Sequence, residues 1–501
     1  MSITRLSDNT RYNKEEKQWV EWQHNTVVTK DVPSFSVKNN LLNYFSVPIK
    51  ELRNSEDHSI LVYPQSFSDT ADEVGEQAVF DITKRDAEGN PIEFWTRNLV
   101  GFISYNGQEV TISSRFSGEK NDNFLYYMLA RVAGINLLNL DFSSHNKDKG
   151  LNLMIFLFPK LLKEALGQGL FKQYIYREYN DANVRGPIDI NRHIRRNIPF
   201  NGRVAYRTRE FSYDNPVTQL VRHAIEWIKI SPWGQAILNS DEITRSFIQE
   251  IVAATPTYEA RLRQEVINQN LRPATHPYYT SWQPLQEFCL RLLRYESLSY
   301  GADKKNKIHG LLIDAAWLWE EYVGRVLAEK EMGLAHYTRS SRFHLLQTIN
   351  GKHFQQVIPD YYDKERKLVA DAKYIPLHRY DHLDAERAAA VYYKTVMYMY
   401  RFNTEMGFLF HPCSNEDAKN AKNNAELSHL NSEEKTITCS YQIEGREDCH
   451  LHEVGMIIPQ LEGDGKFAEF KKAMETTETS FVKKIVDLIK TTKSRDAKVT
   501  H

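Results

Sequence analysis

Cysteine is scarce in this chain, with four in 501 residues. So few thiols exclude a disulfide-stapled secreted scaffold and suit a reducing compartment, and a cytoplasmic location is expected. No Cys-x2-Cys pair occurs. His411, Cys413, Cys439, Cys449, His450 and His452 therefore lack the close paired spacing of a structural zinc site. An uncharged apolar run of about 18 residues is also missing, and no membrane span is expected. The most apolar stretch, LNLMIFLFPKLLKEALGQGL, is interrupted by Pro159, Lys160, Lys163 and Glu164 and reads as a buried helix. The first residues, MSITRLSDNTRYNKEEK, carry no apolar core, so no secretory signal is expected. There is no Gly-x4-Gly-Lys-Ser/Thr, so any nucleotide motor is another chain. Net charge is −1. Binding to nucleic acid would then depend on local patches rather than on the whole chain.

What is present reads as an α+β multidomain protein. Residues 1–50 hold Trp19, Trp22 and a break at Pro33, and receive no role. Residues 51–118 are strand-like, punctuated by the turns Glu88-Gly89-Asn90-Pro91 and Asn106-Gly107, and read as a β-rich module. Residues 119–300 are mainly helical. Within them, Tyr179–Arg209 carries Arg185, Arg192, Arg195, Arg196, Arg203, Arg207 and Arg209. Such a run can track phosphates or meet an acidic partner surface; a solvated connector or internal ion pairs would explain it equally simply. A polar seam at Lys304–Lys307 separates this part from residues 301–490, which read as an α/β core. There the helical spacing of LLIDAAWLWEEYVGRVL predicts a helix over Leu311–Leu327, with Asp314 near its start. A second helix is predicted over Asp384–Phe402. Asn415–Glu434 reads as an exposed loop. Two strands and an amphipathic helix follow, and 491–501 read as a flexible tail.

The chemistry concentrates in Val357–Lys373, VIPDYYDKERKLVADAK. Apolar residues precede Asp360 and Asp371, and the charged tetrad Lys364–Lys367 lies between them. That pattern predicts two short strands joined by a tight turn. Asp371 and Lys373, two apart, share one face of a strand, and the hairpin can bring Asp360 beside them. Two carboxylates and an amine at one sheet edge suit a hard divalent cation and an attacking water. Asp360 and Asp371 are the candidate metal ligands, with the carbonyl of Ala372 a further donor. Lys373 can orient or help deprotonate water, or offset phosphate charge.

Pro359-Asp360, a ten-residue gap and Asp371-Ala372-Lys373 resemble the core of PD-(D/E)xK nucleases. The resemblance implies a third carboxylate from the preceding helix. Glu320 is favoured for that role over Glu321, and both could instead be solvated helix charges. It also implies a polar-x3-Tyr pair flanking the site on the following helix. Lys394 and Tyr398 stand there, with lysine in place of the usual glutamine. Lys394 could contact a DNA phosphate or be an ordinary surface charge.

A wider resemblance covers roughly residues 95–410. It rests on Asn98-Leu99-Val100-Gly101, Val110-Thr111-Ile112, Arg115-Phe116, Val184-Arg185-Gly186-Pro187-Ile188-Asp189, Asp214-Asn215-Pro216, Leu318–Val323 and the nuclease motif. Together these resemble the McrC family, the nuclease subunits of McrBC-type and LlaJI-type restriction systems. The resemblance implies an Mg²⁺- or Mn²⁺-dependent endonuclease acting on double-stranded DNA. It also implies an McrB-like AAA+ GTPase hexamer as partner, stimulated by the N-terminal region, with GTP bound only by that partner. On this reading residues 51–118 bind the partner, and the arginine run serves the ring or the DNA. Ser114-Arg115 departs from the family's usual Pro-Lys. A regulatory subunit that only activates the GTPase, or a stand-alone nuclease, are the alternatives.

Overall fold

Leu99–Tyr105 is buried at every position but its last, and one sheet is built around it. A computed structural model describes residues 3–15, 18–23, 26–27, 37–54, 58–63, 77–105, 108–117, 122–133, 149–231, 233–300, 308–330, 332, 334–336, 343–375, 385–415, 435–460 and 467–499. Pro33, the Asn106-Gly107 turn, the Lys304–Lys307 seam, Asp384 and all but the first residue of the Asn415–Glu434 loop lie outside them. The chain divides into two compact units. Residues 1–132 and 305–501 contribute to the first, and residues 151–304 to the second.

In the first unit the strand order around Leu99–Tyr105 is Ile3–Ser7, Gln108–Ser113, Leu99–Tyr105, Ile308–Asp314, His58–Tyr63. A second sheet runs Thr26–Val27, Gln18–Gln23, Arg11–Glu15, Pro91–Thr96, Phe80–Arg85. The first fifty residues thus supply strands to both sheets, where no role was expected. Leu6, Tyr12, Leu42, Phe45, Phe94 and Ile112 share one apolar core. Arg97-Asn98 separates Pro91–Thr96 from Leu99–Tyr105, two strands that belong to different sheets.

Ile308–Asp314 corrects the expected helix start at Leu311. It is a strand, antiparallel to Leu99–Tyr105 and parallel to His58–Tyr63. A short run that is apolar on every side fits a buried strand or a buried helix equally well, so periodicity did not separate them. The boundary is chemical. Asp314 Oδ1 accepts from the N–H groups of Ala316 (2.9 Å) and Trp317 (3.3 Å), capping a helix over Ala315–Glu329. This strand ties residues after 305 to the β-rich sheet, and the chain passes from the second compact unit back to the first at 304–305. Gly101 permits the pairing. Its φ is +139°, and a Cβ there would lie 2.0 Å from the carbonyl oxygen of Leu311.

The other large sheet of this unit has the order Ala335–His336, Tyr361–Asp363, Leu368–Ala372, Met406–Cys413, Arg446–Ile457, Thr436–Ile443. Tyr361–Asp363 and Leu368–Ala372 form the antiparallel hairpin around the charged turn. Leu368–Ala372 then pairs in parallel with Met406–Cys413. The C-terminal helix runs Phe467–Val499, past the point where a flexible tail was expected. Its buried Glu478 accepts from the hydroxyls of Tyr127 and Tyr322, both at 2.8 Å, and pairs with Arg131 at 3.0 Å. Three helices are thereby tied together, among them the one bearing Glu320.

The second unit is helical around Pro216–Ile230, most of whose side chains are buried. Asp214-Asn215-Pro216 starts that helix. Asn215 caps it, Thr218 completes a capping box and Pro216 occupies the first turn. The Lys149–Leu166 helix buries Phe156, Phe158, Leu161 and Leu162. Among the described residues, no helix is long and apolar enough to cross a membrane. The arginine run, expected only as a segment of a helical region, forms a hairpin of Gln173–Asp181 and Val204–Ser212 with the helix Ile190–Asn197 between its strands.

Candidate active site

Leu368–Ala372 has neighbours on both edges and is buried along its whole length. An aspartate in such a strand loses its water, and Asp371 is fully buried. Its Oδ2 faces the ammonium of Lys373 in an ion pair, while Oδ1 meets no hydrogen-bond donor. Asp360 precedes the partner strand. Its Oδ2 accepts from the N–H of Ala372 at 2.6 Å, which links the Pro-Asp turn to the end of the Asp371 strand. The N–H of Lys373 donates to the carbonyl of Phe410 at 2.8 Å.

The three expected carboxylates act on one another. Burial raises Asp360 well above the usual carboxylate range, and the charges of Asp371 and Glu320 raise it further against the pull of Lys373. Asp371 moves the other way. Burial opposes its charge, but Lys373 and then Lys394 outweigh it and hold it below its ordinary value. Lys373 is raised, because Asp371 and Asp360 overcome the cost of burying an ammonium. The two carboxyls are thus shifted in opposite directions, Asp360 upward by burial and Asp371 downward by the Lys373 ammonium that it faces. Glu320 is half-buried, and its charge is among those that raise Asp360.

Supporting contacts come from residues that spacing did not mark. The hydroxyl of Tyr361 donates to the carbonyl of Glu320 at 2.5 Å, and the indole of Trp319 donates to the carbonyl of Phe410 at 3.2 Å. The Glu320 helix is thus bonded to the two strands beside it. Aromatic residues at helical spacing look alike whether they fill a core or hold a site, so only contacts distinguish them. Tyr398, expected to flank DNA, is buried, and its hydroxyl donates to the carbonyl of Ile358 at 2.9 Å. It supports the Pro359-Asp360 turn. Lys394 is exposed, with its ammonium 5.4 Å from the Tyr398 ring centroid, and its charge acts on both Asp371 and Lys373.

Among the described residues, no group of three or more His, Cys, Asp or Glu side chains is disposed to hold a metal ion as it stands. The donor set nevertheless has the chemistry for a hard cation. It combines a buried carboxylate oxygen without a donor with a second carboxyl whose ionisation is opposed by its carboxylate neighbours.

In the second unit the arginines separate into two kinds. Arg192 works internally. It donates to the carbonyls of Tyr179 (2.9 Å) and Tyr206 (2.6 Å) and pairs with Glu178. Arg185 donates to the Tyr206 hydroxyl at 3.0 Å and lies over the Tyr179 ring. Gly186 lets the turn pass the opposite strand, since a Cβ there would be 2.2 Å from the carbonyl oxygen of Arg207. Arg207 and Arg209 lie over the exposed rings of Tyr176 and Tyr174. Arg195, Arg196 and Arg203 are exposed and, among the described residues, make no ion pair. Beside them Ile190, Ile194, Ile198 and Phe200 are each more than half exposed. A periodicity reading credits such isoleucines to a core, which is why this apolar patch was missed.

A family model described as McrBC 5-methylcytosine restriction system component matches residues 95–412, more than half of the chain. No curated protein matches it. Among solved structures, the chain is similar to one in the refined half-complex from a tetradecameric assembly of Thermococcus gammatolerans McrB AAA+ hexamers with bound McrC. The identity is 14%, the match covers 95% of this chain and 100% of that one, and the TM-score is 0.41. A chain in the cryo-EM structure of the Thermococcus gammatolerans McrBC complex is 18% identical over 67% of this chain and 89% of that one, with a TM-score of 0.29.

Proposed function

This chain belongs to the family of McrBC 5-methylcytosine restriction system components, and we propose that it is the nuclease subunit of such a system. It is a metal-dependent endonuclease with a PD-(D/E)xK core, acting on double-stranded DNA beside an McrB-like AAA+ GTPase hexamer. The observation that carries this reading is the buried Asp371, paired with Lys373 and facing Asp360, on which the charge of Glu320 also acts. Buried like charges are costly unless they have work to do, and perturbed carboxylates of this kind mark active sites.

Asp360, Asp371 and Glu320, with the carbonyl of Ala372, are the oxygen donors for Mg²⁺ or Mn²⁺. Such a cation, when bound, supplies charge for the phosphate and acidifies its water. The protein's own groups do the rest. The N–H of Ala372 fixes the orientation of Asp360. Lys373 orients the attacking water and offsets charge developing on the phosphoryl oxygens. Lys394, exposed beside the site, meets the DNA backbone. Tyr398 acts through the turn that it holds rather than through DNA.

Besides residues 51–118, a second partner-facing surface is formed by Ile190, Ile194, Ile198 and Phe200 with Arg195, Arg196 and Arg203. An exposed apolar patch rimmed by arginine is the composition of a protein interface. Through it the chain stimulates the GTPase, and GTP itself is bound by the partner.

The test is Asp371→Ala in the full chain, assayed with the partner GTPase, GTP, Mg²⁺ and duplex DNA. Cleavage is expected to fall at least about a thousandfold while GTPase stimulation persists. Cutting at the unsubstituted rate would reject the site.

A further inference from the structure

Tyr374 follows Lys373 directly and is buried. Its contacts reach out of its own sheet to the turn that ends the strand Gln108–Ser113. Ser114 Oγ and the Tyr374 hydroxyl are hydrogen-bonded at 2.6 Å. Arg115 Nη2 donates to the carbonyl oxygen of Tyr374. The same guanidinium lies 5.1 Å from the Tyr374 ring centroid and 5.0 Å from that of Phe116. Phe116 in turn meets the Tyr374 ring edge-on at 5.3 Å. One residue of the strand end is thus gripped at its carbonyl, its ring and its hydroxyl by three consecutive side chains.

The gripping turn is itself anchored. Asp8 Oδ1 accepts from the N–H of Arg115 at 2.6 Å, and the N–H of Asp8 donates to the carbonyl of Ser113 at 2.8 Å. Arg5 holds the Ser113 hydroxyl at 2.8 Å and Asp122 at 2.8 Å. Arg5 and Ser113 lie in strands of the sheet built around Leu99–Tyr105, and Asp8 and the Ser114-Arg115 turn directly follow those strands. The ladder of the Asp371 strand stops at Ala372, so Lys373 stands where a strand end would fray. Lys373 donates its N–H to the carbonyl of Phe410 in its own sheet. The next residue is fixed from the N-terminal sheet.

We propose that Arg115, with Ser114, is a positioning residue for the candidate active site, clamping the chain just after Lys373 to the N-terminal sheet and so holding the Lys373 ammonium against Asp371. A charged, planar donor suits the position because it can bond the carbonyl and cover two rings at once. A lysine can do the first but covers the rings less completely. The clamp's effect on cleavage rests on the nuclease reading. Its effect on the strand does not.

Two measurements on the full chain test this. The first is hydrogen–deuterium exchange of the Asp371–Tyr374 amides, without DNA, metal or partner. Arg115→Met should speed that exchange about tenfold while the Leu99–Tyr105 amides stay within about twofold, since a hydrogen bond from a charged donor is lost. Arg115→Lys should restore part of the protection. Tyr374→Phe removes only the Ser114 bond and should give a smaller local rise, of about threefold. The second is DNA cleavage with the partner, GTP and Mg²⁺. Arg115→Met should lower kcat about tenfold. Unchanged exchange at Asp371–Tyr374 in both Arg115→Met and Tyr374→Phe overturns the proposal. So does a uniform rise across the unit in Arg115→Met with no local rise in Tyr374→Phe. If the unsubstituted chain does not cut at all, the nuclease reading fails, and the exchange result alone decides the clamp.

Discussion

Asp8 offers a perturbation whose size follows from its surroundings. It is fully buried, its Oδ1 accepts from the N–H of Arg115, and its Oδ2 has no partner. Burial pushes its carboxyl from 3.8 up to about 6, even though the charge of Arg115 pulls it down. A raised acid stabilises the folded state fully below pH 3.8, and that contribution is lost as the pH rises through about 6. A difference of about two pK units is worth ~3 kcal/mol. Asp8→Asn keeps the Oδ1 acceptor and removes the titration. The stability of the variant relative to the unsubstituted chain should therefore rise by ~3 kcal/mol between about pH 3 and pH 7, with the change spread almost evenly over about pH 4–6. The assay is amide exchange of Leu99–Tyr105 in both proteins at matched pH, where intrinsic rates cancel. The protection ratio should shift by roughly a hundredfold over that range. Parallel profiles, or a ratio moving the other way, would refute the claim that Asp8 is ionised at a cost in the folded unit.

Two further substitutions separate packing from contact. Gly101→Ala places a methyl 2.0 Å from the carbonyl oxygen of Leu311 at a φ of +139°, and should cost about 3 kcal/mol or more by forcing apart the Leu99–Tyr105 and Ile308–Asp314 strands; reduced soluble yield and a lowered melting temperature are the readout. In the second unit, the triple change of Arg195, Arg196 and Arg203 to glutamate should leave stability within about 0.5 kcal/mol but weaken GTPase stimulation at least about tenfold. Arg192→Ala should do the opposite. By stripping two carbonyls of their charged donor it should lower thermal stability by ~2 kcal/mol, and a partner-binding defect without that loss would contradict its internal role.

The arginine run illustrates how residues of one type divide by environment. Arg192 and Arg195 are three apart on one short helix. The former reaches across the hairpin to the Tyr179 and Tyr206 carbonyls, and the latter projects to solvent. No linear pattern distinguishes them, because the strands that receive Arg192 are brought together by pairing over Gln173–Asp181 and Val204–Ser212.

Local chemistry made much of the protein legible before any fold was known. Pro359-Asp360 and Asp371-Ala372-Lys373 announce a hairpin with carboxylates and an amine, because alternation in a strand dictates which side chains share a face. Asp314 was legible as lying near a helix start for an equally local reason, since a cap bonds only its own first turn. Long-range pairing was not legible. The sequence does not say that Ile308–Asp314 inserts between Leu99–Tyr105 and His58–Tyr63, or that the first residues join both N-terminal sheets, because a buried strand is apolar on both faces whatever its neighbours are. It likewise leaves Tyr398 and Tyr374 as two ordinary tyrosines. Only the tertiary structure directs one hydroxyl to the carbonyl of Ile358 and the other to Ser114, and so decides that each braces an end of the Asp360–Lys373 segment.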